Sequence, residues 1–182
     1  APPWPEPAAF ISTDGPVLSR RFKDPAGTWL DDYLADGGYL GAKRALSSMT
    51  PEEVIREVSL ANLRGLGGAG FPTGRKWEQV YRADSSHQTP YLVCNADESE
   101  PGTFKDRVIM EEDPFLLIES MTIAGLAIGS QQAYLYIRGE YPLAIERLTH
   151  AIDQARQHSF LGKQILGHDL KFDIEIQRGA GA

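Results

Sequence analysis

Cysteine occurs once in the 182 residues, at Cys94. A lone thiol excludes a disulfide framework and any cysteine-rich metal or iron–sulfur site within these residues. Apolar runs of the roughly 18 residues that a membrane span needs are absent, and so is the basic-then-apolar pattern of a secretory leader. A cytoplasmic chain with no direct membrane insertion is therefore expected. Basic residues are in deficit, 18 against 25 acidic, for a net charge of −7. That balance argues against nucleic acid or anionic lipid as the main partner. The histidines His87, His150, His158 and His168 are scattered without ligand spacing, and no metal site is expected. Cys94 lies within an apolar run and reads as a buried structural thiol.

What is present suits one globular domain, or one with a small appendage: 42% of residues are apolar and 24% charged. Residues 1–28 are expected to be an extended arm or linker, because Pro2, Pro3, Pro5 and Pro7 disfavour helix and sheet alike. Whether that arm lies on a partner or is a loose terminus stays open at this level. A short helix is expected over Tyr39–Leu46. A better-marked one follows, with Thr50 as N-cap, Pro51 at N1 and Glu53 at N3 of a capping box, running to about Leu63. After residue 90 the pattern changes to α/β. Strands are expected at Tyr91–Asn95, the first fully buried, at Ala133–Ile137 and at Leu170–Ile176. Helices are expected from Asp113 to Ile128, closed by Gly129, and from Pro142 to about His158. The alternation predicts a Rossmann-like, mostly parallel sheet with helices on both faces, preceded by a short helical region and a glycine-rich loop.

That loop is the main chemical feature. Gly65, Gly67, Gly68, Gly70 and Gly74 place five glycines in ten positions. Glycine reaches φ > 0 and lets backbone approach a ligand closely, and consecutive N–H groups can form an anion-binding nest. Arg64, Arg75 and Lys76 add positive charge around it, so phosphate or a phosphorylated cofactor is the natural ligand. Gly65-x-Gly67-x-x-Gly70 fits the dinucleotide fingerprint formally. The fingerprint requires a strand before it, however, and here a capped helix precedes. A Walker loop fails for want of Gly-Lys-Ser/Thr. A flexible linker would favour serine over the Phe71, Arg75, Lys76 and Trp77 found here.

The second feature is an acidic turn at the carboxyl end of the first strand, where open α/β sheets bind ligands. Asn95 both donates and accepts, as a flavin edge or an amide requires. Asp97, Glu98 and Glu100 are acceptors suited to ribose hydroxyls, and a carboxylate there would repel a 2′-phosphate, favouring NAD over NADP. A merely solvated acidic loop is the competing reading. Arg138-Gly139-Glu140-Tyr141 closes the second strand at the same edge. It either lines the site or simply pairs Arg138 with Glu140. Gly179-Ala180-Gly181-Ala182 closes the third.

Together, Arg64-Gly65-x-Gly67-Gly68-Ala69-Gly70-Phe71-Pro72-Thr73-Gly74-x-Lys76-Trp77, the Asn95–Arg107 segment, Arg138-Gly139-Glu140-Tyr141 and Arg178-Gly179-Ala180-Gly181 resemble the NADH-binding flavoprotein subunit of respiratory NADH:quinone oxidoreductase, complex I. The diaphorase subunits of NAD-reducing hydrogenases and NAD-dependent formate dehydrogenases share these motifs. The resemblance implies FMN and NADH as cofactor and substrate, hydride transfer from nicotinamide to flavin, and electrons leaving singly through iron–sulfur subunits of a larger complex. It implies that Arg64, Gly65, Gly67, Gly68, Ala69, Gly70 and Lys76 contact flavin and nucleotide, and that Phe71 stacks on the adenine. It implies that Asn95, Asp97, Glu98 and Glu100 line the pocket and that Gly181 adjoins it. Hydride transfer then belongs to the flavin, and Glu98 is the one side chain considered for a catalytic role. Leu66 stands where the family usually has arginine. The family's later flavin contacts and its [4Fe–4S]-binding helical domain fall outside these residues. Residues 29–182 are therefore expected to form the N-terminal helices and an incomplete FMN/NADH-binding domain. A truncated, non-catalytic assembly module is the alternative.

Overall fold

A computed structural model describes residues 17–22, 28–83 and 89–179. Its centre is a three-stranded parallel sheet, β1 (Tyr91–Ala96), β2 (Gln132–Arg138) and β3 (Asp173–Gly179), in the order β1-β2-β3. The register aligns Leu92 with Ala133 and Ile174, and Cys94 with Leu135 and Ile176. Because side chains alternate along a strand, these residues share one face with Ala96 and Ile137, and that face joins the core.

Helices α1 (Leu30–Ala35), α2 (Leu40–Ser48), α3 (Pro51–Leu60) and α4 (Thr73–Tyr81) precede the sheet. Between β1 and β2 lie α5 (Lys105–Glu112) and α6 (Pro114–Ile128), and α7 (Pro142–Gln157) joins β2 to β3. The sheet is parallel, as the alternation predicts, and helices α6 and α7 pack on it. Among the described residues, the helices cover one face. The other carries Tyr91, Val93, Asn95, Tyr136, Glu175 and Gln177, all exposed. The expectation of a fully buried first strand is thus corrected: Tyr91 and Val93 are 64% and 62% exposed, and only the alternate residues turn inward.

The capping box at α3 forms as read. Glu53 N–H donates to Thr50 Oγ1 at 3.3 Å and Thr50 N–H to Glu53 Oε2 at 2.8 Å. Helix α6 starts on Asp113, which accepts from Leu116 N–H, and ends at Gly129 with φ 73°. It is apolar nearly all round because it lies between the sheet and the N-terminal helices, and Gly125 lets it close on Phe172, whose ring would sit 2.2 Å from an added Cβ. The third strand begins three residues later than the alternation predicts. Phe172 is buried, but it exchanges backbone hydrogen bonds with Gly162 instead of joining the ladder. Helices α1, α4 and α5 go beyond the sequence expectation; each is nine residues or shorter and hides a narrow apolar stripe. Of the expected arm, residues 1–16 and 23–27 lie outside the described residues. Residues 17–22 are pinned by Arg20 and Arg21 to Asp36, and Arg21 reaches the buried Asp113 at 2.8 Å. Burial raises the Asp113 pKa, an effect that Arg21 opposes.

Glu119 on α6 binds the N-terminal helices to the rest. Its carboxylate is 7% exposed and accepts from Tyr33 Oη at 2.5 Å, Tyr39 N–H at 2.7 Å and Ala42 N–H at 2.9 Å. Tyr39 sits at φ 59° immediately before α2, which has no side-chain cap of its own. Burial, then the neighbouring Glu119 charge, pushes the Tyr33 and Tyr39 phenols far above the ordinary tyrosine range. Glu119→Ala would strand two backbone donors and a hydroxyl in the core. A loss of roughly 3 kcal/mol or more is expected in urea denaturation. Glu119→Gln should lose less, because one carboxylate oxygen is kept while the new amide faces an N–H. Cys94, on the inner face, has its thiol pushed up to about 11 by burial and then by Asp106. At about pH 8 it should react with a disulfide reagent at least ~10-fold more slowly in the folded protein than after urea unfolding.

Candidate functional site

The glycine loop is a closed lobe between two helices. Helix α3 ends at Leu60, and Asn62 takes φ 50°, turning the chain out of the helix. At the base of the lobe Gly65 N–H donates to the Phe71 carbonyl at 3.0 Å and Thr73 N–H to the Leu63 carbonyl at 2.9 Å. Arg64 staples it from outside, donating to the Gly70 carbonyl and to Asn62 Oδ1, each at 3.2 Å. Arg64 is thereby committed at least in part to the loop itself. Inside the lobe no described residue accepts from the N–H groups of Gly67, Gly68, Ala69 or Gly70.

The glycines divide by task. Gly68 and Gly70 have φ of +100° and +59°, conformations that a side chain would strain. Gly67 is not left-handed, and an added Cβ there meets nothing within 4 Å, so its small size keeps space open. Gly74 belongs to neither group. It is buried in the first turn of α4 against α3, where a Cβ would lie 2.8 Å from Ser59 N and 2.9 Å from its Cα. What requires a glycine at this position is helix packing.

Helix α4, which the motif reading leaves as loop, matters most here. It begins at Thr73, directly after the lobe, without a side-chain cap or any acidic residue in its first turn. Thr73 N–H is taken by Leu63 and Lys76 N–H by Pro72, but those of Gly74 and Arg75 have no acceptor among the described residues, and with the helix dipole they add to the positive charge of Arg75 and Lys76. The signal is available in the sequence: Trp77, Val80 and Tyr81 recur at helical spacing, and Pro72 is the boundary. Phe71 is 38% exposed, with Lys76 Nζ 5.9 Å from its ring centroid.

The acidic turn leaves β1 at the carboxyl edge of the sheet. Asn95 Oδ1 accepts from Asp97 N–H at 3.1 Å, and Asp97 Oδ2 accepts from Ser99 Oγ at 2.9 Å. The Glu100 side chain is exposed and makes no hydrogen bond or ion pair with a described residue, while its carbonyl closes a turn with Thr103. Glu98 differs. It is 4% exposed, and its carboxylate accepts from Asp106 N–H at 2.8 Å and Arg107 N–H at 3.1 Å, capping α5. Arg138 pairs with Glu140 at 3.3 Å and also reaches the Glu98 carbonyl.

Arg64, Gly65, Gly67, Gly68, Ala69, Gly70, Phe71 and Lys76 therefore fall on one lobe and helix start, and Asn95, Asp97, Glu98 and Glu100 on one turn. No hydrogen bond, ion pair or ring contact joins lobe to turn among the described residues. Gly181 lies outside the described residues, as does His87. A cavity of about 670 Å³ over α7, lined by Trp29, Ile145, His150 and Arg178 among others, includes no lobe or turn residue. No group of histidine, cysteine and carboxylates able to hold a metal occurs among the described residues, and no described helix is long and apolar enough to cross a membrane.

The lobe's residues fit a phosphorylated, planar cofactor: unpaired donors, open space above glycine, a helix start and an aromatic ring. Comparison with known proteins gives the family. Residues 58–182 match the Nuo51 FMN-binding domain. The NADH-quinone oxidoreductase F subunit of Aquifex aeolicus is 49% identical over 97% of this chain and 40% of its own length. Its Escherichia coli counterpart of the same name is 43% identical over 91% of this chain and 37% of its own. The HndC subunit of the NADP-reducing hydrogenase of Solidesulfovibrio fructosivorans is 50% identical over 88% of this chain and 32% of its own. An air-oxidized NAD+-reducing [NiFe]-hydrogenase structure superposes with TM-score 0.66 at 37% identity, covering 89% of this chain and 26% of that one. The chain spans about 40% of the length of the curated relatives it matches. With the match covering most of its residues, the chain belongs to the Nuo51 FMN-binding domain family.

Proposed function

We propose that this chain provides the nucleotide-entry part of an NADH dehydrogenase flavoprotein subunit, binding FMN and NADH and working beside iron–sulfur subunits of a larger, cytoplasmic-facing complex. On this reading residues 29–182 are the N-terminal helices and part of the FMN/NADH-binding domain. The observation that supports it is the lobe itself: four consecutive N–H groups with no acceptor among the described residues, open space beside Gly67, Gly68 and Gly70, and an α4 start without a side-chain cap. FMN, when bound, supplies two-electron acceptance from a nicotinamide and one-electron release.

The chain's residues hold and orient. The N–H groups of Gly67 to Gly70, with Arg75, Lys76 and the α4 dipole, take the anionic parts of cofactor and substrate. Phe71 offers a face for the adenine, and the Lys76 ammonium, near its ring, adds a positive charge beside it. Asn95 and Asp97, tied into one turn, present an amide and a carboxylate to flavin and ribose. Glu100, unpartnered and exposed, meets ribose hydroxyls and repels a 2′-phosphate. No side chain of this protein carries a covalent or proton-transfer step on this account.

A second reading is favoured by one observation, the 50% identity to a subunit named for an NADP-reducing hydrogenase: a diaphorase subunit passing electrons between a nicotinamide nucleotide and a hydrogenase. Nucleotide preference bears on the choice. In protein expressed from its complete reading frame, Glu100→Gln should raise the NADPH/NADH ratio of kcat/KM by about tenfold. An unchanged ratio would remove Glu100 from discrimination.

The lobe has its own test. Since nothing stands within 4 Å of a Cβ at Gly67, Gly67→Val should fold with a Tm within about 2 °C of the parent. Its side chain would occupy the cofactor's space, so FMN affinity, read by flavin fluorescence, should fall by ~100-fold or more. Undiminished FMN binding in the folded variant would take the lobe out of the site.

A further inference from the structure

The acidic turn does not hold itself. Of its polar residues, Asn95 and Glu100 are exposed, Asp97 and Ser99 are half-buried, and Glu98 is buried. Glu98 is gripped from two elements. From one side, the start of α5 gives it two backbone donors. From the other come two residues of the segment closing β2, some forty positions along the chain. Arg138 Nη1 donates to the Glu98 carbonyl at 2.6 Å. Tyr141 Oη lies 3.1 Å from Glu98 Oε2 and 3.5 Å from its carbonyl, so its single proton goes to the carboxylate. Tyr141 is 9% exposed and is the residue on which α7 begins. The guanidinium carbons of Arg138 and Arg107 lie 5.2 Å and 5.4 Å from its ring centroid, which fixes the ring and so the hydroxyl.

We infer that Arg138 and Tyr141 are positioning residues for the nucleotide site: by gripping both the backbone and the side chain of Glu98, they set where Asn95, Asp97 and Glu100 stand. This rests on the FMN and NADH reading above. Backbone carbonyl and carboxylate of one residue, held by different donors, leave the turn neither rotation about its backbone nor a slide along the sheet edge. The ligand-facing residues flank that fixed point within three positions on either side. The Arg138–Glu140 ion pair, with an exposed glutamate, steadies the guanidinium but adds little by itself.

The experiment uses protein expressed from its complete reading frame and loaded with FMN, with NADH as substrate and ferricyanide as acceptor. Tyr141→Phe removes one hydroxyl and keeps the ring and its two cation contacts. Arg138→Met removes the grip on the carbonyl, and Arg138→Lys restores one donor. Tyr141→Phe and Arg138→Met should each raise the NADH KM by about tenfold, the worth of one hydrogen bond to a charged or strongly polarised partner. The kcat should stay within about threefold, as expected when binding, not the hydride step, is lost. Arg138→Lys should recover at least half of the KM change on a logarithmic scale. A lowered Tm with KM unchanged within about twofold would show a structural role alone and overturn the inference, as would a fall in kcat at constant KM. If Arg138→Met does not fold, Tyr141→Phe decides by the same KM criterion. Parent protein that takes up no FMN and oxidises no NADH would overturn the reading beneath the inference, and the inference with it. Active parent with unresponsive variants would overturn the inference alone.

Discussion

Two buried glutamates capping helices that cannot cap themselves hold this structure together. Helices α2 and α5 both begin without a side-chain cap, on Tyr39 and on Phe104. In each case the missing acceptor arrives from elsewhere: Glu119 from the middle of α6 for α2, and Glu98 from the exit of β1 for α5. A buried carboxylate is tolerable only when hydrogen-bonded, and here two backbone N–H groups and a tyrosine hydroxyl meet each one. The carboxylate needs the helix start as much as the helix needs the carboxylate. One such pair ties the N-terminal helices to the core. The other ties the acidic turn to the sheet edge.

This arrangement explains why the candidate site separates into a stiff half and an open half. The turn is held by charge-assisted hydrogen bonds whose partners are spread over β1, α5, β2 and the start of α7. Among the described residues the lobe is held at its neck, by Gly65, Arg64 and Thr73, and the N–H groups of Gly67 to Gly70 have no protein acceptor. Its glycines are not interchangeable. Gly68 and Gly70 are there for backbone angle, Gly67 for room, and Gly74 for the crossing of α4 over α3. Counting five glycines as one feature merges three separate physical requirements.

Much of the fold was legible because its signals are local. The α3 capping box, the Asp113-Pro114 start and Gly129 stop of α6, and the three apolar strand segments all follow from neighbours in sequence. What was missed depends on distant partners. Helix α5 is capped by Glu98 across eight or nine positions, so Lys105–Glu112 reads as the tail of an acidic loop. Leu170 alternates correctly with Phe172 and Ile174, yet Phe172 pairs with Gly162, and the strand starts afterwards. Tyr91 and Val93 read as core until the sheet is seen to be covered on one face. Within the site, residue types and their placement on one lobe and one turn were legible. That Glu98 faces inward, and that Arg138 and Tyr141 hold it, was not, because placing both segments at one sheet edge does not say which of their groups pair.

The charge pattern decides where an anionic ligand would go. The chain carries a net charge of −7, so at long range it repels a phosphorylated cofactor. At physiological ionic strength, however, charges more than about 8 Å away are largely screened, and the ligand responds to what is near. Near the lobe there are Arg64, Arg75 and Lys76, the free N–H groups and the positive end of α4, with no carboxylate in that helix's first turn. The carboxylates of the candidate site, Asp97, Glu98 and Glu100, lie instead on the turn after β1, where hydroxyls and amides, not phosphates, are the fitting partners. On the proposed reading a nucleotide, which has both kinds of group, would turn its phosphates toward the lobe and its ribose or ring edge toward the turn. On that reading the sign of the local charge would set the ligand's direction, although no hydrogen bond, ion pair or ring contact joins the two halves among the described residues.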